Sequence, residues 1–308
     1  MISVVIPVYN EEKNLELLQT ELSQVLASLG NYEVIYVDDG SKDDSFEVLT
    51  KLKSCGANIR VIQLTKHFGQ TEAMQAGIDC SAGDVIVFMD ADLQNEPKDI
   101  PKLLSKIKEG FTAVSGWRKK REDPFLTRRL PSYIANMLIS KISKIKLHDF
   151  GCSLKAYRRE VITQIRLYSE MHRFIPIYIA RQGAPIAEVE VSHRRRAAGD
   201  SKYGMMRFFK VILDFLVAEF INNYLNKPMY VFGSAGILSI FFGGCICVFI
   251  VIRKIFFGGV WVSPLLFIVI ISIIVGFQFI LMGFIAELMI RLYYENTKAR
   301  TYRIKKEL

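Results

Sequence analysis

A chain of 308 residues has room for one large domain and something smaller, and a composition that is 51% hydrophobic excludes a disordered polyelectrolyte. The net charge of +9 admits nucleic acid or anionic lipid as partners. Two long apolar runs towards the C-terminus make membrane headgroups and phosphorylated substrates the simpler explanation, with no nucleic acid partner expected. The five cysteines (Cys55, Cys80, Cys152, Cys245, Cys247) lack paired zinc-type spacing, which reads as reduced structural thiols.

In chain order, Ser3 to Tyr9 reads as a strand, entered directly without the charged start and cleavage site of a secretory leader. Leu15, Leu18, Leu22, Val25, Leu26 and Leu29 follow at helical spacing and stop at Gly30. Glu33 to Val37 is the next strand, and the turn Asp38-Asp39-Gly40-Ser41 leads into a helix through Phe46, Leu49 and Leu52. A strand over 60–64, a loop at Lys66-His67-Phe68-Gly69, a helix over 70–80 and an apolar strand over 84–89 complete a β-α-β-α-β-α-β run. This order predicts a parallel sheet with covering helices. Beyond it the pattern predicts a helix from Pro97 to Gly110, a strand over 112–115, a helix over 132–145, another helix beginning near Arg159 and a late strand over 187–191. The segment 193–203 is polar, small and basic and reads as a loop. The segment 205–225 is amphipathic, suited to the membrane interface or to packing on the domain.

Met229 to Ile252 holds no charged residue and reaches about 36 Å as a helix, and Pro264 to Ile290 carries only Glu287, near its end. Two transmembrane helices joined at 253–263 form a hairpin with both outer ends on one side. Arg291, Lys298, Arg300, Arg303, Lys305 and Lys306 in the closing stretch put that side in the cytoplasm, outnumbering Arg253 and Lys254 in the hairpin loop. Glu287 reads as reaching the interface or pairing with Arg291. Gly233, Gly236, Gly243 and Gly244 permit close helix contact between copies of the chain.

The candidate chemistry starts at Asp90-Ala91-Asp92-Leu93-Gln94, where the buried strand over 84–89 ends. Open α/β sheets bind ligands at that edge. Residues i and i+2 point the same way, and two hard oxygen ligands on one side suit Mg²⁺ or Mn²⁺ with positions open for diphosphate oxygens. Taken alone, the pattern also fits a solvated loop, just as Asp38-Asp39-Gly40-Ser41 also fits a plain strand-to-helix turn.

The ordered set Val5-Ile6-Pro7-Val8-Tyr9-Asn10-Glu11-Glu12, Val37-Asp38-Asp39-Gly40-Ser41, Asp90-Ala91-Asp92-Leu93-Gln94, Asp149-Phe150-Gly151-Cys152 and Arg196-x-x-Gly199-x-Ser201-Lys202-Tyr203, followed by two spans, resembles the polyisoprenyl-phosphate glycosyltransferases. These are members of glycosyltransferase family 2 with the GT-A fold, related to dolichyl-phosphate mannose synthase and including bacterial undecaprenyl-phosphate glucosyltransferases and the undecaprenyl-phosphate 4-deoxy-4-formamido-L-arabinose transferase. The resemblance implies a GT-A domain over 1–203, an amphipathic juxtamembrane helix over 204–228, the hairpin over 229–290 and a basic cytoplasmic tail over 291–308. It further implies a multi-pass protein of the inner membrane with a cytoplasmic catalytic domain, assembled as a homotetramer.

By the same resemblance, Pro7, Tyr9, Glu11, Asp38 and Asp39 hold the uracil and ribose of a UDP-sugar, and Asp90, Asp92 and Gln94 hold Mg²⁺ or Mn²⁺. A carboxylate can accept the uracil N3–H, and the Tyr9 ring offers a stacking face. The acceptor is a polyisoprenyl phosphate. Its second pKa of about 6 makes it an anionic nucleophile at neutral pH, in need of cationic positioning more than a base. Arg118, Arg121, Arg128, Arg196 and Lys202 are the candidate clamp, with Ser132 as a neutral donor; guanidinium forks grip phosphate oxygens in pairs. Facing anionic lipid is the alternative for each, and the better one for Lys119 and Lys120. Asp149 either orients the acceptor side or holds an arginine during direct displacement with inversion, or forms a covalent sugar intermediate with retention. Cys152 reads as a packed thiol, and His67 and His148 as structural histidines that can also reach a phosphate. The expected reaction is single-sugar transfer, glucose first, with formamido-arabinose or N-acetylglucosamine as alternative donors. A processive synthase lacks support because neither Trp117 nor Trp261 stands in a Gln-x-x-Arg-Trp motif. A nucleotide-sensing scaffold or transporter subunit is the reading from another class.

Overall fold

The computed structural model describes residues 1–119, 130–167, 171–194, 215, 228–258, 264–295 and 304–307. The chain divides into two units, Met1–Ala218 with Arg300–Leu308, and Glu219–Ala299.

The first unit is built on strands β1 (Ile2–Val8), β2 (Tyr32–Asp38), β3 (Ile59–Leu64), β4 (Val85–Phe88), β5 (Ala113–Trp117), β6 (Lys155–Arg158), β7 (Ile186–Glu190) and β8 (Ile304–Glu307). The helices are α1 (Leu15–Leu26), α2 (Ser45–Cys55), α3 (Gln70–Cys80), α4 (Ile100–Lys108), α5 (Leu130–Ser143), α6 (Arg159–Ile162) and α7 (Ile175–Arg181). The strands form one sheet in the order β7-β5-β6-β4-β1-β2-β3-β8. Strand alternation sends Val4, Ile6, Val8, Val34 and Tyr36 to the face covered by α1 and α4, and Val5, Ile35, Val37 and Ile62 to the face covered by α3 and α7. Both faces are buried, as the continuous apolar strands require. Gly77 in α3 lets that helix approach closely, since a Cβ there would lie 2.2 Å from Val5 Cγ1.

The sheet is mixed, not parallel throughout. β6 runs antiparallel to both β4 and β5, with Phe88 opposite Lys155 and Ser115 opposite Lys155. It spans four residues, two of them basic, so it carries no apolar run that marks a central strand. The consequence is topological. An antiparallel strand between two strands of opposite direction presents its beginning, not its end, at the edge where β4 and β5 finish. The segment 149–155 is thereby delivered between the ends of those two strands. β8 is the second departure, pairing antiparallel with β3 through Ile62↔Glu307 and Gln63↔Lys306. Part of the stretch expected as a tail is the last strand of the sheet, covering an edge otherwise open to other chains.

Of the amphipathic segment expected over 204–228, the structure describes Pro228, which opens the next helix, and Phe215. It is 3% exposed and packs on Phe174 with ring centroids 5.5 Å apart, in a cluster with Ile139, Phe150 and Ile177. At this residue the segment follows the domain-packing alternative.

The second unit is an antiparallel pair, α8 (Pro228–Phe257) and α9 (Pro264–Glu295), each long and apolar enough to cross a membrane. Large side chains such as Phe241, Phe256 and Phe277 stand exposed, unlike the core helices of a soluble domain. The glycines do something other than expected. A Cβ at Gly236 would lie 2.6 Å from Gly276 O, one at Gly243 would lie 3.1 Å from Ser272 Cβ, and Ser239 Oγ donates to Ser272 O at 2.8 Å. Gly236 and Gly243 thus seat the two helices of one hairpin against each other, whereas Gly244 has open space. The side chains of Glu287 and Arg291 lie outside the described residues.

Candidate active site

The acidic loop leaves β4 at Phe88. Asp90, Asp92 and Gln94 are half-buried and alternate with buried Ala91 and Leu93, so each of the three oxygen-bearing side chains keeps a solvent-accessible part at this loop. Leu93 takes φ 62°, an uncommon conformation for a bulky side chain and one that surrounding contacts must enforce. Gln94 N donates to Asp92 Oδ1 at 3.2 Å, Arg194 N donates to Gln94 O at 2.9 Å, and Asn95 bridges to His193. The Gln94 amide nitrogen is directed at Arg194 O, a long 3.5 Å contact. Asp90 Oδ1 accepts from Gln70 Nε2 at 2.7 Å.

This donor set fits a hard divalent cation. Among the described residues no three His, Cys, Asp or Glu side chains gather into a protein-only cage. Two carboxylates and an amide are the incomplete oxygen set that Mg²⁺ or Mn²⁺ completes with water and substrate phosphate.

The corner at the ends of β1 and β2 gathers the expected nucleotide residues, but with prior commitments. Asp38 is fully buried, accepts from Ser41 N at 3.1 Å and receives Gln63 Nε2 at 3.4 Å. Asp39, 2% exposed, accepts from Phe68 N at 2.8 Å and Gly69 N at 2.9 Å, and pairs with His67 Nδ1 at 2.8 Å. Desolvation pushes the Asp39 carboxyl above its ordinary range, opposed by those two N–H donors and His67. Asp39 therefore organises the loop after β3, with His67 stacked on Tyr9 at 4.0 Å between centroids. Gly40 makes the approach possible: its φ is 67°, and a Cβ there would lie 2.5 Å from Lys66 C. Glu11 N donates to Ser45 Oγ and its carboxylate accepts from Asn14 Nδ2 at 2.6 Å. Pro7 lies on β1 and shares a cleft with Asp90.

At the other end, Arg118 leaves β5 and meets Asp149. Nε donates to Oδ2 at 2.7 Å and Nη2 to Oδ1 at 2.9 Å, a fork-to-fork pair with side-chain exposures of 13% and 4%. Gly151 N adds a donor to Oδ1 at 3.1 Å, and Asp149 N donates to Glu188 Oε1 at 3.0 Å. Burial disfavours the Arg118 charge, but the Asp149 carboxylate outweighs it, and Arg118 is held more firmly protonated than usual, with Asp90 a smaller contributor. With both oxygens engaged by a guanidinium, Asp149 is poorly placed to take a proton. Cys152 is buried and its thiol is pushed up to about 11 by desolvation, in keeping with a packed thiol. His148 bonds Glu188 Oε2 at 2.7 Å and stacks on Trp117, a structural setting. Ser132 sits near the start of α5 and is half-buried. Arg121, Arg128, Arg196, Lys202 and Lys120 lie outside the described residues.

One group escaped the sequence reading. Lys155, at the head of β6, is 3% exposed and lines the cleft beside Asp90 together with Pro7, Gln70, Phe150 and Arg173. A lysine opening a four-residue strand carries no motif, so only the antiparallel placement of β6 reveals it.

The match to known proteins covers this whole constellation. Residues 3–166 match the family model described as Glycosyl transferase family 2. The dodecaprenyl-phosphate galacturonate synthase of Rhizobium johnstonii is 38% identical over 99% of this chain and 92% of its own. The undecaprenyl-phosphate 4-deoxy-4-formamido-L-arabinose transferase of Shewanella sediminis is 35% identical over 97% of this chain and 89% of its own. Among solved structures, glucosyl-3-phosphoglycerate synthase from Mycobacterium tuberculosis, in complex with Mn²⁺ and UDP-glucose, superposes with a TM-score of 0.54 over 71% of this chain and 78% of that one at 20% identity, a likeness of fold. Acidic loop, buried guanidinium fork, mixed GT-A sheet and full-length kinship agree: the chain is a glycosyltransferase and belongs to glycosyltransferase family 2.

Proposed function

We propose that the protein transfers one sugar from a UDP-sugar to a polyprenyl phosphate at the cytoplasmic face of the membrane, with inversion at the anomeric carbon. The observation that carries this reading is the meeting, on one sheet edge, of an acidic loop suited to a diphosphate-bound cation and a buried arginine that is aimed by Asp149 and has further guanidinium donors for a second anion. The names of the full-length relatives support the lipid-phosphate acceptor. They carry galacturonate and formamido-arabinose, while glucose, the first expectation, rests on the sequence resemblance alone.

In this proposal Asp90, Asp92 and Gln94 hold Mg²⁺ or Mn²⁺, which when bound neutralises charge on the departing diphosphate. Tyr9, Glu11 and Asp38 line the nucleoside corner beside Pro7, and Asp39 holds the 67–69 loop that walls it. Arg118 uses Nε and Nη2 on Asp149 and keeps guanidinium donors for the acceptor phosphate. Ser132, Arg128, Arg196 and Lys202 complete the clamp. The lipid phosphate is already an anion, so Asp149 serves by aiming Arg118, not by taking a proton. The domain layout proposed is catalytic residues 1–203, juxtamembrane 204–228, a hairpin over 229–290 and a basic segment 291–308, assembled as a homotetramer.

The test is a membrane assay with undecaprenyl phosphate, Mg²⁺ or Mn²⁺ and a panel of UDP-sugars, comparing the wild type with Asp92→Ala. A lipid-linked sugar that requires the cation and disappears in the variant supports the proposal; absence of product with every donor counts against it.

A further inference from the structure

We propose that Lys155, on the floor of the cleft beside Asp90, determines donor specificity by binding a carboxylate on the sugar, so that the donor is a UDP-linked uronic acid. The inference rests on the proposed use of a UDP-sugar and goes beyond it to the sugar's class.

Its first support is a buried cation with no ion-pair partner among the described residues, the more distant Asp149 charge offsetting its burial only in part. Lys155 Nζ donates to Phe150 O at 3.1 Å and to Arg173 O at 3.3 Å, which among the described residues leaves one of three N–H donors over. Among the described residues no carboxylate lies within ion-pair distance of it, and the nearby Asp149 is forked onto Arg118. Buried lysines are ordinarily paired, because an isolated charge out of water is costly. Burial pulls Lys155 down to about 8, so the group still carries its proton at neutral pH and gains from an anion.

The second support is depth. Lys155 is the register partner of Phe88, two residues before Asp90 on β4. A diphosphate held at the Asp90–Asp92 rim leaves this floor to the group beyond it, the sugar ring. Met74, Phe88 and Met89 give the cleft an apolar wall, while Gln70, Ser153 and His172 can bond a hydroxyl of any hexose; what singles out a carboxylate is the cationic pair Lys155 and Arg173 in the same lining. The competing source of the same negative charge is the donor's own diphosphate, which every UDP-sugar shares.

The experiment separates the two sources by direct binding. The full-length protein in detergent micelles with Mg²⁺ is titrated calorimetrically with UDP, UDP-glucose, UDP-galactose, UDP-glucuronate and UDP-galacturonate, for wild type, Lys155→Met and Lys155→Arg. The expected result is that one UDP-uronate binds the wild type at least tenfold tighter than its matching UDP-hexose. Lys155→Met should bring that ratio near one with the affinity for UDP unchanged, which also certifies its fold, and Lys155→Arg should keep most of the preference. Equal weakening of UDP, hexose and uronate assigns Lys155 to the diphosphate and overturns the inference, as does a wild type without preference. The last outcome needs no variant. Transfer to undecaprenyl phosphate, read in parallel, tests the proposed reaction separately: a neutral donor that is transferred well while uronates are ignored sinks this inference alone.

Discussion

Asp149→Ala removes one half of a pair that is almost entirely out of water. Arg118 keeps its charge at 13% exposure and loses the acceptor of both Nε and Nη2. Breaking a buried pair by deleting one partner costs about 3–5 kcal/mol, while replacing both partners by apolar groups is often near neutral. At roughly 2–4 °C per kcal/mol for a domain of this size, the single variant should lose about 6–20 °C in thermal unfolding. Arg118→Met, leaving a buried carboxylate, should lose a similar amount, and the double variant should regain most of it. Unfolding followed by circular dichroism in detergent, with lipid-linked sugar formation measured on the same preparations, reads both consequences. All three variants should fall at least about 100-fold in transfer, because the guanidinium is displaced or absent in each. If Asp149→Ala keeps its unfolding temperature within a degree or two while transfer is abolished, the carboxylate acts on substrate directly and the positioning argument is wrong.

Asp92→Ala should leave unfolding within about 1 kcal/mol of wild type, since the side chain is half-exposed, yet abolish transfer; chelation of the divalent cation should do the same to the wild type. Lys155 gives a pH signature. Its folded pKa of about 8 lies below the ordinary 10.5, so between those values the unfolded chain binds more protons and stability rises with pH. Lys155→Met lacks this slope, and its stability relative to wild type should therefore decline by about 3 kcal/mol as pH climbs through that window; a constant difference refutes the burial. Gly236→Leu should separate the membrane helices, seen as lost cross-linking between cysteines placed on α8 and α9, whereas Gly244→Leu should leave that contact intact.

How far the sequence carries depends on what each element buries. β1, β2, β3 and β4 are buried on both faces, so their apolar runs announce them, and the 70–80 helix matches α3 from Gln70 to Cys80. The acidic loop was legible because its chemistry is local: three polar side chains alternate with two buried ones. β6 and β8 are short and charged, and their strand character comes from their neighbours, which periodicity does not register. The same applies within the site. Asp39 shows as a carboxylate at a strand end, but the N–H groups of Phe68 and Gly69 that occupy it are about 30 residues away in sequence, a pairing fixed only by the packing of β2 beside β3. That Asp149 holds an arginine stood among its alternatives, but which arginine was not legible; the insertion of β6 is what makes it Arg118.

The placement of β8 has a consequence for biosynthesis. Strands β1 to β7 leave the ribosome first, then the apolar hairpin, and β8 only after it. The outer edge of β3 therefore stays without this partner until both long apolar helices have been synthesised. Long-range pairing of this kind is slow relative to local structure, and an open edge is the part of a sheet most prone to recruit a foreign strand. A substitution within residues 304–307 thus acts on the edge of the sheet that carries the acidic loop, although the two stand more than 200 positions apart in sequence.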